Sequence, residues 1–228
     1  MLDVGCGTGL LTLPLAAHAR AIIGMDPEPD MLSRARQAAA QQAVANVVWI
    51  LGADTDLERW RQVLGDHALA AVTIADAIHW LDESELFTAL RPALRPGGAI
   101  AIVTNGTALW RQDSEWSRAL RASLEQWFGA ALDAGAVTGA DTETGRRQRH
   151  ITSLREAGFA EIDEVVECYA HDIDFDRLVG TLYSAMSAKT MPTGRERRGF
   201  ARHLRRALAP ETSFTEQVRV TALVGRSR

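Results

Sequence analysis

Asp3, Asp26 and His79 each stand at or near the end of an apolar run, where a polar side chain has more chemical than packing value. Asp3 lies two residues before Gly5-Cys6-Gly7-Thr8-Gly9. Those glycines allow a tight turn and a close approach of backbone to a ligand, because no Cβ obstructs it. A helix read over 10–19 brings its amino terminus and the loop amides together, which favours a bound carboxylate. Asp26 ends the second run, over 21–25. An acid there accepts hydrogen bonds from both hydroxyls of a ribose. Capping the next helix, before Pro27, is an equally ordinary use of that residue. His79 follows the fourth run, over 69–75, and imidazole chemistry suits a general base near neutrality.

The elements that must position these residues alternate between apolar runs and amphipathic segments. Strands are read over 1–4, 21–25, 47–51, 69–75 and 99–104, with helices over 10–19, 31–42 and 83–94 between them. Arg95-Pro96-Gly97-Gly98 reads as a turn. Further on, helices are read over 114–132, 152–158 and 175–187, then a basic helix with Arg195, Arg197, Arg198, Arg202, Arg205 and Arg206. Phe200, Leu204 and Leu208 form its buried stripe. Residues 129–145 read as a loop, and strands over 162–170 and 218–224 complete one sheet. Alternation of this kind predicts an α/β fold with a mostly parallel sheet.

Three stretches, each at an end of a strand, carry a resemblance. The first is Leu2-Asp3-Val4-Gly5-Cys6-Gly7-Thr8-Gly9, the second Asp76-Ala77-Ile78-His79-Trp80, the third Leu94-Arg95-Pro96-Gly97-Gly98. In register, they resemble class I S-adenosylmethionine-dependent methyltransferases of the type 11, or trans-aconitate-methyltransferase-like, branch. The glycine spacing is one residue shorter than the dinucleotide fingerprint, which opposes a nicotinamide oxidoreductase. A turn that binds nothing is the plain alternative for the loop alone.

The resemblance implies a Rossmann-like seven-stranded sheet with an antiparallel last strand and helices on both faces. It implies one domain over 1–228: a cofactor-binding half over 1–104, a variable lid or substrate segment over 105–150, and 151–228 completing the sheet. S-adenosyl-L-methionine is the implied cofactor, with Asp3, Gly5, Cys6, Gly7, Asp26, Met31, Asp54 and Ala75 around it. Asp3 is expected to face its amino group, Asp26 its ribose, Met31 and Asp54 its adenine. Trp80, Trp110, Arg111, Arg146, Arg147 and Arg149 are the expected acceptor-binding residues, and the arginines suit an anionic acceptor. His79 is the expected base if the acceptor is a hydroxyl; a carboxylate acceptor needs none. Core packing explains Trp110 equally well, and a solvated face explains the arginines.

The implied function is methylation of a small molecule, with a non-catalytic cofactor-binding domain as the alternative. Relatives of this kind carry helices before the first motif, so a chain opening at that motif is expected to hold its cofactor in an open site. A net charge of -4 gives no global field for nucleic acid. The loop after the fourth strand also lacks the Asn/Asp-Pro-Pro-Tyr sequence of base methyltransferases. Cys6 and Cys168 form no disulfide framework or metal spacing, and no apolar run is long enough to span a bilayer. No metal, nucleic-acid or membrane partner is expected; a homodimer and a cytoplasmic location are.

Overall fold

The computed structural model describes residues 1–132, 143–186 and 190–227. Seven strands form one sheet in the order β3-β2-β1-β4-β5-β7-β6. They are β1 (Leu2–Val4), β2 (Ile22–Asp26), β3 (Val47–Leu51), β4 (Leu69–Ala75), β5 (Leu94–Asn105), β6 (Glu161–Asp174) and β7 (Ser213–Arg226). The first five pair in parallel, and β1 and β4 at the centre are rich in buried Val, Ile and Leu, while β3 at the edge is partly exposed. β7 runs antiparallel to β5, since Gly97 donates to Ser227 while Thr104 donates to Thr221. It also runs antiparallel to β6, through Arg226 to Asp163 and Thr215 to Asp172. The expected mostly parallel sheet with an antiparallel last strand is therefore present.

The helices are α1 (Thr12–Ala16), α2 (Pro29–Gln41), α3 (Leu57–Leu64), α4 (Glu83–Leu90), α5 (Glu115–Phe128), α6 (Glu143–Glu156), α7 (Phe175–Ala185) and α8 (Glu196–Ala207). Several boundaries differ from the sequence reading. The helix expected over 10–19 is only α1, because the glycine turns run up to Leu11 and Asn46 caps its end by donating to the Ala16 and Ala19 carbonyls. The turn at 95–98 survives as a bulge inside β5: β4 advances from Leu69 to Ala71 while β5 advances from Leu94 to Ala99. The helix expected over 152–158 begins at Glu143, so the three arginines lie on a helix rather than on a loop end. The loop reading of 129–145 falls mostly on 133–142, outside the described residues.

The chain falls into two compact units. The first comprises Met1–Asn105, Gly139–Val166 and Thr221–Arg228. Its core packs Val4, Val72, Ile74, Phe87, Leu94, Ile100, Ile102, Leu154 and Phe159 around the central strands. The second comprises Gly106–Thr138 and Glu167–Val220. Its core gathers Leu120, Leu124, Leu178, Leu182, Phe200, Leu204 and Phe214. No helix among the described residues is long and apolar enough to cross a membrane.

Candidate functional site

The strand order reverses between β1 and β4, and open α/β sheets bind ligands at the carboxyl ends of strands beside such a point. The glycine loop leaves β1 there. Gly5, Gly7 and Gly9 all have positive φ, the region that L side chains avoid. An added Cβ at Gly5 would lie 2.5 Å from the Ala77 side chain, so this glycine exists for packing against the loop after β4. At Gly7 an added Cβ would meet nothing within 4 Å. That position borders open space. Gly9 is different again: its Cβ would meet the Trp49 indole at 2.8 Å, and Trp49 also crowds Gly24 on β2 at 2.7 Å. The indole on β3 therefore wedges under the loop. The sequence reading saw Trp49 only as strand composition.

Asp26 fixes the loop from the side. Its Oδ2 accepts from the Gly7 amide at 2.8 Å and its Oδ1 from the Glu28 amide at 2.9 Å. One carboxylate thus ties the turn after β1 to the start of α2, and each oxygen keeps a lone pair for a hydroxyl donor. Asp3 is closed in more tightly. Only 2% exposed, its carboxylate accepts from Thr12 Oγ1 at 2.6 Å and from Thr73 Oγ1 at 2.7 Å. Burial pushes its pKa up, against the two hydroxyls that pull it down. Where a contact with an amino group was expected, the partners of Asp3 are β4 and the first turn of α1. Cys6 is buried, and burial, then the charges of Asp3 and Asp26, push its thiol up to about 12. It is an inert filler at physiological pH.

Met31 is half-buried in the first turn of α2, and Ala75 ends β4 opposite Val103. Asp54 lies after β3, and its Oδ2 lies 3.5 Å from the Asp82 amide. A cavity of about 650 Å³ is lined by Asp54, Thr55, Ser84, Glu85 and Thr88 among others, and shares only Asp54 with the expected cofactor residues. Its polar rim and separate lining make it a poor guide to the chemistry.

Ile78, 4% exposed, anchors the loop after β4, while His79 and Trp80 project outward with their rings 4.9 Å apart. Trp80 is 81% exposed, as is its apolar counterpart Leu10, at 86%, just after the glycine loop. The sequence reading missed Asp76. It holds a φ of 48°, and its Oδ1 accepts from the Asn105 amide at 2.9 Å. Burial raises its pKa, opposed by the Asn105 amide and by His79. The signal was available, since Asp76 directly follows β4 much as Asp26 closes β2.

The arginines diverge. Arg147 makes a bidentate pair with Glu164, at 2.7 and 2.6 Å. Arg149 lies 3.9 Å from Glu83, which also meets His150 Nδ1 at 2.9 Å. Arg146 shares helix α6 with them. Trp110 and Arg111 belong to the second unit, on a 3-10 turn over Leu109–Arg111, where the Trp110 carbonyl accepts from Arg121 at 2.7 Å.

A family model described as a methyltransferase domain matches residues 1–98. Residues 1–98, less than half of the chain, are similar to that domain. An uncharacterised methyltransferase of Mycobacterium tuberculosis is 36% identical over 105 residues, which are 46% of this chain and 39% of the relative. A probable S-adenosylmethionine-dependent methyltransferase of Saccharomyces cerevisiae is 30% identical over 44% of this chain and 34% of its own. The chain thus spans less than half the length of these curated relatives. Among solved structures, a candidate type II methyltransferase from Anaeromyxobacter dehalogenans gives a TM-score of 0.57 at 20% identity, covering 100% of this chain and 88% of that one. The YcgJ protein from Bacillus subtilis gives 0.52 at 12% identity, covering 100% and 91%. Both share the fold. S-adenosylmethionine is the cofactor these similarities indicate.

Proposed function

We propose that the chain is an S-adenosylmethionine-dependent methyltransferase acting on a small molecule. The observation that carries the reading is the Gly7–Asp26 pair at the switch point: an amide and a carboxylate locked together beside a position where a Cβ would meet nothing within 4 Å. Asp26 would hold the ribose hydroxyls and the loop amides the carboxylate of the cofactor. S-adenosylmethionine supplies an electrophilic methyl group, so the protein's own contribution is positioning and exclusion of water. Asp3 braces the loop from below through Thr12 and Thr73. His79, on the loop beside Gly5, would take a proton from a hydroxyl acceptor. The trans-aconitate-methyltransferase-like branch remains our reading of His79-Trp80.

An anionic acceptor held by α6 has one arginine fewer than the sequence suggests, because Arg147 is neutralised by Glu164. Incubation with methyl-labelled S-adenosylmethionine and a panel of carboxylic acids and hydroxylated compounds tests the proposal. Transfer of label to at least one acceptor, lost in Asp26→Ala, is expected. Tight cofactor binding with no transfer to any acceptor would favour the non-catalytic domain instead.

A further inference from the structure

Helix α8 is amphipathic in an unusual way. Its inner face is apolar: Phe200 and Leu204 are fully buried, and Leu208 follows at the end. His203 Nε2 donates to the Ser123 carbonyl at 2.9 Å, and Trp127 packs on Phe200 with ring centroids 5.3 Å apart. At 100° per residue the outer face holds Arg195, Arg198, Arg202, Arg205 and Arg206, all exposed, with no acid among them. Over Arg195 to Arg206 the chain has six arginines and a single acid, Glu196. Two of the six are committed within the fold: Arg197 lies over the Tyr183 ring at 4.3 Å and Arg205 over the Phe175 ring at 3.9 Å.

Apart from Arg205, folding gains little from this face. Like charges at i,i+4, as in Arg198–Arg202 and Arg202–Arg206, destabilise a helix by about 0.2–0.5 kcal/mol each. The helix dipole favours Arg205 and Arg206 near the carboxyl end but opposes Arg195 at the start. Among the described residues, the acid paired with this face is Asp176, 3.9 Å from Arg205. A whole-chain charge of -4 coexists with this local concentration of positive charge.

We infer that the outer face of α8 binds the phosphate backbone of a single-stranded nucleic acid. Guanidinium groups match phosphate oxygens in bidentate geometry. Arg195, Arg198, Arg202 and Arg206 form one line about 16 Å long, from 1.5 Å of rise per residue, which suits a linear polyanion. An anionic membrane fits less well. The apolar face that would enter lipid is consumed by the core. Asp176, its side chain 93% exposed, borders the line and would be pressed against headgroups. No aromatic side chain lies on the outer face, so recognition is of backbone and independent of base sequence.

The test is fluorescence anisotropy of the full chain with a labelled uridine oligomer of about 20 nucleotides. Four neutralised phosphates, at Arg195, Arg198, Arg202 and Arg206, predict a slope of log affinity on log salt of about -2.8, hence about a fiftyfold loss from 50 to 200 mM salt. Replacing Arg198, Arg202 and Arg206 by Gln should cut the slope to about -0.7. Arg202→Gln alone should reduce it by about 0.7, which keeps the test open if the triple variant misfolds. S-adenosylmethionine binding should be unchanged in both variants, so this result and the methyltransferase reading stand or fall separately. No binding by the wild type, a salt slope unchanged in the variants, or capture by phosphatidylserine vesicles without oligonucleotide binding would overturn the inference.

Discussion

Asp26 holds the glycine loop through Gly7 and the first turn of α2 through Glu28, so its carboxylate both shapes the site and faces the expected ribose. Asp26→Ala removes charge-assisted hydrogen bonds worth about 1.5–3 kcal/mol each. Cofactor affinity should fall at least about tenfold, read by calorimetry on a variant shown to be folded by circular dichroism. Unchanged affinity would remove Asp26 from the site. For Asp3 the expected effect is on stability. Burial raises its folded pKa, so ionisation costs the fold free energy that appears as pH rises past the ordinary carboxylate value and levels off above the raised one. The stability of Asp3→Asn relative to wild type, from urea denaturation, should climb across that window and then flatten; a constant difference at all pH values would contradict the assigned burial effect. His79→Gln separates base from shape. With a hydroxyl acceptor it should cost about 10²–10⁴-fold in turnover, with cofactor affinity unchanged and the alkaline-rising limb of the rate profile lost. A carboxylate acceptor would leave the variant nearly as active.

At the scale of elements, the glycines of the loop after β1 make different predictions. Gly5→Ala must fit a Cβ 2.5 Å from Ala77 at a φ of +67°, so it should lower the thermal midpoint by several degrees. Gly7→Ala carries the backbone penalty without a clash, and its methyl enters the open space. It should lose more cofactor affinity than stability. Equal effects of the two on both readouts would show that the loop is a packing device only. The first half of the chain was legible because its signals are local: glycines, a following helix start and acids at strand ends sit within a few residues of each other. Trp49 was not, since its support of Gly9 and Gly24 crosses from β3 to the loop. β6 was bounded too narrowly because most of its residues are exposed, which erases the alternation that marks a half-buried strand. Arg147 was read as available for substrate, and only the fold brings Glu164 to it.

In the molecule as a whole, the methyltransferase match ends at residue 98, but the first unit does not. It takes in Gly139–Val166 and Thr221–Arg228, and Ser227 closes on Gly97 and Gly98 beside β5. A chain cut after Asn105 would expose the edge of β5 and should aggregate or melt well below the full chain; a cooperative transition at the full-length temperature would show the half to be self-sufficient. The overall α/β order was legible in sequence, because alternating apolar runs and amphipathic segments dictate a layered sheet. The division into two units was not, since it depends on contacts between segments far apart in the chain. The central claim is that the Gly7–Asp26 corner is a S-adenosylmethionine site. Calorimetric titration of the full chain with S-adenosylmethionine, S-adenosylhomocysteine and NAD tests it most directly. Saturable binding of the two sulfur nucleosides and none of NAD is the predicted result; binding of NAD alone, or of none of the three, would contradict it.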